Sequence, residues 1–113
     1  MSVKSFLGVI LCSSFLLYNF PTIAYSQCNK AEAQSIINDI VNQGLAQRRD
    51  DGITIHYFWG GSWYTMGKGQ QYNLIDGLGG AENCLRENVT VRIHVGGKNV
   101  ARASHYLGKI EVY

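Results

Sequence analysis

Residues 53–66 read Ile53-Thr54-Ile55-His56-Tyr57-Phe58-Trp59-Gly60-Gly61-Ser62-Trp63-Tyr64-Thr65-Met66, and how this stretch folds decides the architecture. Its first seven residues alternate. Ile53, Ile55, Tyr57 and Trp59 fall on one side of an extended chain and Thr54, His56 and Phe58 on the other, because successive strand side chains point to opposite faces. Gly60-Gly61 offers the two glycines that a tight hairpin favours. The pattern therefore predicts a strand over 53–59 that folds back onto a partner starting at Ser62. In that register Phe58 meets Trp63, Tyr57 meets Tyr64, His56 meets Thr65 and Ile55 meets Met66. One face would be apolar, and the other would carry a cross-strand pair of Phe58 and Trp63.

On the N-terminal side, Asn29 followed by Glu32 suits a capping box. Ala33, Ile36, Ile37, Ile40, Val41, Gly44 and Leu45 then keep helical spacing, which predicts an amphipathic helix over 30–48. Arg48 and Arg49 would sit at its negative C-terminal end, and Asp50-Asp51-Gly52 reads as the turn that leaves it. On the C-terminal side, Tyr72, Ile75, Leu78 and Leu85 mark a second helix over 68–85. Its Gly69, Gly77, Gly79 and Gly80 each disfavour helix by ~1 kcal/mol and so imply close packing against a neighbour. Residues 89–95 alternate again, with Val89, Val91, Ile93 and Val95 inward and Thr90, Arg92 and His94 outward. A hairpin at Gly96-Gly97 that sets Ile93 opposite Ala101 and Val91 opposite Ala103 keeps Arg102 off the core face. A final strand over 109–113 turns Ile110 and Val112 inward. The order α-β-β-α-β-β-β describes an α+β fold: an antiparallel sheet of about five strands with two helices on one face.

The first 26 residues read as a secretory leader: Lys4 gives the positive start, Phe6 to Phe20 the apolar run, and Pro21 ends any helix there. Ala24-Tyr25-Ser26 offers small residues for a cut before Gln27. The apolar run is too short for a stable membrane span, covering only ~22 Å of a ~30 Å hydrocarbon core. Leu11 and Gln27 are poor small-residue neighbours for lipidation of Cys12 or Cys28. Cleavage of 26 from 113 residues leaves 87, enough for one small α+β domain over 27–113. Of the three cysteines only Cys28 and Cys84 remain, and in an oxidising compartment they pair. That bond would tie the start of the first helix to the end of the second.

The mature part carries nine basic and eight acidic residues, since only Lys4 leaves with the leader. This balance argues against a nucleic-acid partner held by charge. No cofactor motif is present, and the histidines 56, 94 and 105 lack the spacing of a HExxH zinc site. Two cysteines without CxxC spacing give neither a zinc site nor a redox pair, and no serine sits in a nucleophile elbow. Asn88-Val89-Thr90 matches the N-glycosylation sequence, which matters only in a eukaryotic secretory pathway.

What remains is the sheet face away from the helices, carrying Phe58, Trp63, His56, Arg92, His94 and Arg102, residue types suited to binding a partner. The first reading is thus an exported binding or inhibitor-like module that engages a protein or glycan outside the cytoplasm. The second is a small secreted hydrolase using His56 or His94 with a carboxylate such as Asp51 or Glu111. The third is a homo-oligomer joined through the same sheet face.

Overall fold

The computed structural model describes residues 28–113; the expected leader and its cleavage residues Ala24, Ser26 and Gln27 lie outside the described residues. Two helices and five strands follow one another as α-β-β-α-β-β-β. Both helices lie on one side of a five-stranded sheet of order β1-β2-β3-β4-β5.

Helix α1 spans Lys30–Asn42 and begins where Asn29 Oδ1 accepts the Glu32 amide at 3.0 Å. It ends six residues before the boundary that apolar spacing suggests. Gly44 takes φ 73°, the Gly44 amide bonds Val41 O, and the Leu45 amide bonds Ile40 O. This is the Schellman stop, in which a glycine enters the left-handed region and the next apolar residue folds back onto the helix. Leu45 accordingly packs against the core. Released from the helix, the chain forms strand β1, Ala46–Asp50, and so Arg48 and Arg49 stand on a strand.

Strand β2, Thr54–Trp59, returns antiparallel along β1, with Arg49 opposite His56 and Gln47 opposite Phe58. The turn between them is made by aspartates. Asp51 Oδ1 accepts the Ile53 and Thr54 amides at 3.1 and 2.7 Å, and Asp50 Oδ1 accepts the Gly52 amide at 2.8 Å. Ile53, placed inward by the alternation, belongs to this turn and is exposed.

The expected hairpin at Gly60-Gly61 does not form. A strand has two edges, and those of β2 are taken by β1 and β3, so no edge is left for residues 62–66. Gly61–Thr65 instead make a 3₁₀ turn that carries Trp63 into the core, where it is 2% exposed. The turn is fastened by Trp59 Nε1 donating to Ser62 Oγ at 3.0 Å and by Gln71 Nε2 donating to Trp63 O at 2.9 Å. Trp63 therefore leaves the set of outer-face residues.

Helix α2 spans Lys68–Leu85 and lays Leu74, Ile75 and Leu78 on the sheet, while Ala81 packs with Ala33 and Ile37 of α1. Of its glycines, Gly79 marks a close approach, whereas Gly69 has open space beside it. A Cβ at Gly79 would lie 2.7 Å from that of Ala103 and 2.8 Å from the His105 ring, distances that only the absence of a side chain allows. The helix also changes the sheet. It returns the chain so that β3, Thr90–Val95, runs parallel to β2, whereas every other neighbouring pair is antiparallel. A parallel neighbour requires such a crossover.

Strand β4, Lys98–Ser104, sets Ala101 opposite Ile93 and Ala103 opposite Val91, the register expected from the alternation. The means differs from a three-residue loop. Gly96 and Gly97, at φ 58° and 81°, make a two-residue turn, and a bulge between Ile93 and His94 shifts the pairing by one. The bulge lets Val100 and Ala101 both enter the core. Strand β5, Lys109–Val112, closes the order.

Cys28 and Cys84 are bonded, with Cα atoms 5.3 Å apart, joining the start of α1 to the end of α2. Beneath the helices, the almost fully buried Glu82 accepts from Arg48 Nε and Nη2 at 2.7 and 2.8 Å and from the Tyr57 hydroxyl. The Glu82 hydrogen bond raises the pKa of Arg48, and burial followed by the Glu82 charge raises that of Tyr57. A buried charge is tolerated only when paired in this way. No described helix is long and apolar enough to cross a membrane.

Candidate functional site: the sheet face opposite the helices

The pairing of five strands lines up their outward residues. Arg49 stands opposite His56, His56 beside Arg92, Arg92 opposite Arg102, and Arg102 opposite Glu111. Four basic residues thus occupy successive strands, ~4.8 Å apart along the hydrogen-bonding direction. A second row runs Gln47, Phe58, His94 and Asn99.

A chain of polar contacts crosses these rows. Asp51 Oδ2 lies 2.9 Å from His56 Nε2, and His56 Nδ1 lies 2.9 Å from His94 Nε2. The carboxylate only accepts, so His56 carries a hydrogen on Nε2. With the pair neutral, His56 Nδ1 accepts from His94 Nε2. One added proton leaves the contact in place, unchanged in direction if it enters at His94 Nδ1 and reversed if His56 becomes the charged ring. A second would set N–H against N–H, so the joined rings hold one positive charge between them. The Thr54 amide, then His56, then the Ile53 amide hold Asp51 well below the usual carboxylate range, at about 2. Burial, and then the charges of His56, Arg92 and Arg49, lower His94.

Stacking organises the same residues. The Phe58 and His94 rings lie 5.1 Å apart and 21° from parallel, and the His56 and His94 rings are 5.1 Å apart. Arg49 Cζ sits 5.1 Å from the Phe58 centroid. Arg49 comes from the strand on one side of β2 and His94 from the strand on the other. Phe58 therefore has a guanidinium from one neighbouring strand and an imidazole from the other near its ring, and it remains 37% exposed.

The arginines are placed unequally. Arg102 Nη2 lies 2.8 Å from Glu111 Oε1, which also accepts from the Tyr113 hydroxyl. Arg92 donates to Asn99 Oδ1 at 2.9 Å, while Asn99 Nδ2 bonds Ile93 O and Ala101 O at the bulge. Among the described residues, neither Arg49 nor Arg92 has a carboxylate oxygen within 4.0 Å.

Five of the six expected binding residues, His56, Phe58, Arg92, His94 and Arg102, share this face, and Trp63 does not. Asp51 reaches His56; Glu111, the other carboxylate considered for hydrolysis, lies three strands away beside Arg102. Arg49 and Asn99 belong to the surface although no motif marks them, because β1 buries only Ala46 and shows no alternation. The third histidine, His105, lies elsewhere, with Nε2 3.1 Å from Asp76 Oδ1. No group of three or more His, Cys, Asp or Glu among the described residues is arranged to hold a metal ion.

Comparison with protein-family models, with curated proteins and with solved structures returns no match. The surface itself is the basis for a functional reading.

Proposed function

We propose that the protein is a small exported binding module whose working surface is this sheet face, and that its partner is an acidic segment of another protein outside the cytoplasm. The row Arg49, His56, Arg92 and Arg102 carries the reading. Like charges directly opposite one another weaken a sheet, and among the described residues Arg49 and Arg92 have no carboxylate of their own. An acidic partner supplies that missing charge and turns an internal repulsion into affinity.

Phe58 favours a protein over a glycan. Its ring is already engaged by the stacked His94 and the Arg49 guanidinium, which leaves less of it for stacking on a sugar, while its exposed part suits an apolar side chain. Export is supported by the leader and is compatible with the Cys28–Cys84 bond. The hydrolase reading has an Asp51–His56 contact in its favour, but the other nitrogen of His56 is engaged by His94 rather than by a hydroxyl or thiol. Self-association through this face would bring basic residues of two copies together.

The test is calorimetric titration of the oxidised protein with poly-L-aspartate at low and moderate salt. Saturable binding should weaken with salt, and Arg49→Glu with Arg92→Glu should lower affinity at least ~10-fold, a loss of ~1.4 kcal/mol. Equal affinity in the double variant removes the proposed surface. Tight binding to dextran sulfate without binding to poly-L-aspartate makes the partner a sulfated glycan instead.

A further inference from the structure

We infer that the His56–His94 pair makes this face a proton-linked binder: docking of the acidic segment draws one proton onto the pair, so the complex tightens as the surroundings become mildly acidic. The inference rests on the anionic partner proposed above and assigns its regulation.

The geometry sets the stoichiometry. Two imidazoles joined Nδ1 to Nε2 at 2.9 Å share a single hydrogen, and His56 is held from its other side by Asp51. The pair is therefore a one-proton element for as long as the contact lasts. Its surroundings set the direction. Arg49 faces it from β1, Arg92 from its own strand β3, and Arg102 stands beyond Arg92 on β4. The negative groups are Asp51 in the β1–β2 turn and Glu111 on β5, and Glu111 is engaged by Arg102. Asp50, in the same turn, is held by both Arg86 nitrogens at 2.8 and 2.9 Å. In the free protein, Arg49 and Arg92 oppose a further positive charge on the pair; burial comes first among the causes that lower His94, then the charge of His56, and these two arginines add to them.

Carboxylates laid over Arg49 and Arg92 cancel that opposition. The bound state then takes up a proton more readily than the free state, and by linkage the proton strengthens binding by the same factor that binding strengthens protonation. Asp51 remains ionised to about pH 2, which leaves the imidazole pair as the group that titrates. Aspartates of the partner are unprotonated over the same interval, since their ordinary pKa is ~3.9.

The experiment titrates the oxidised protein with poly-L-aspartate between pH 5.5 and 7.5, using at each pH two buffers of different ionisation enthalpy. Dextran sulfate, whose charge does not change over this range, serves as the second probe. Affinity should rise as pH falls, by no more than ~10-fold per unit for one proton. The heat should differ between buffers by an uptake of up to one proton. His94→Gln and His56→Gln should each flatten the slope with both probes. Equal affinity at pH 5.5 and 7.5, or an undiminished slope in both variants, overturns the inference and leaves the proposed surface standing. Absence of binding to either probe at every pH overturns the surface and the inference together.

Discussion

The two faces of this sheet are made from the same strands and treat charge in opposite ways. On the covered face Ile55, Tyr57, Val91 and Ile93 are at most 1% exposed, and the buried Glu82 of α2 is neutralised inside the fold by Arg48 and bonded by Tyr57. On the open face Arg49, His56, Arg92 and Arg102 stand in line; among the described residues His56 is answered by Asp51 and Arg102 by Glu111, and Arg49 and Arg92 by no carboxylate. One face completes its electrostatics on folding; the other, under the proposed function, has them completed by a partner. Stability should therefore reside in the first and partner recognition in the second.

The largest effect expected from substitution is on the covered side. Trp63→Ala should destabilise the protein by ~3–5 kcal/mol in urea unfolding, as removal of a core aromatic does. Were Trp63 instead part of the open face, the loss would fall under ~1 kcal/mol. Glu82→Ala should cost ~3 kcal/mol by leaving Arg48 and the Tyr57 hydroxyl without their partner. A cost near zero would show that the buried charge is not held as described. Reduction of Cys28–Cys84, read by the shift in unfolding midpoint, should cost ~2–4 kcal/mol through the freed unfolded chain.

Smaller effects probe the open side. The lowered pKa of His94 means that the unfolded chain binds its proton first. Stability should therefore fall as pH drops below the ordinary value of 6.5 and level off once the folded histidine is also protonated. His105, lowered chiefly by burial, contributes in the same sense. His94→Gln should reduce this slope, and an unchanged slope would assign it to His105 alone. Least of all, Arg92→Thr should raise stability by a few tenths of a kcal/mol, by about the penalty for like charges across strands. A clear destabilisation would mean that the Asn99 contact outweighs the repulsion and would blunt the contrast between the faces.

The sequence carries the covered face more openly than the open one. Alternation in 53–59 and 89–95 assigns almost every inward residue, because burial selects apolar side chains at every second position. The same alternation assigns His56, Phe58, Arg92 and His94 outward. It is silent about β1, where Ala46-Gln47-Arg48-Arg49-Asp50 shows no apolar period, since an edge strand needs little burial. Gly44 followed by Leu45 did hold the signal that ends α1 and starts this strand, but Gly44 also fits the helical stripe. Trp63 was harder to place: Gly60-Gly61 suits a hairpin locally, and only the occupation of both β2 edges excludes it. The parallel pairing of β2 with β3 is likewise a property of the whole sheet. It brings His56 and His94 together, which neither segment announces by itself.

That pairing also sets an order of assembly. Strands β1 and β2, like β3 and β4, are linked by short turns and close over few residues, whereas β2 meets β3 only after the whole of α2 has been looped back. Local closure forfeits less chain entropy and comes sooner. The two hairpins are halves, and the line between β2 and β3 is the seam that joins them last. His56 and His94 face each other across that seam, so their shared hydrogen comes into being only when the halves meet. The contact proposed to sense acidity is also a natural reporter, in a refolding experiment, of the moment at which the sheet becomes whole.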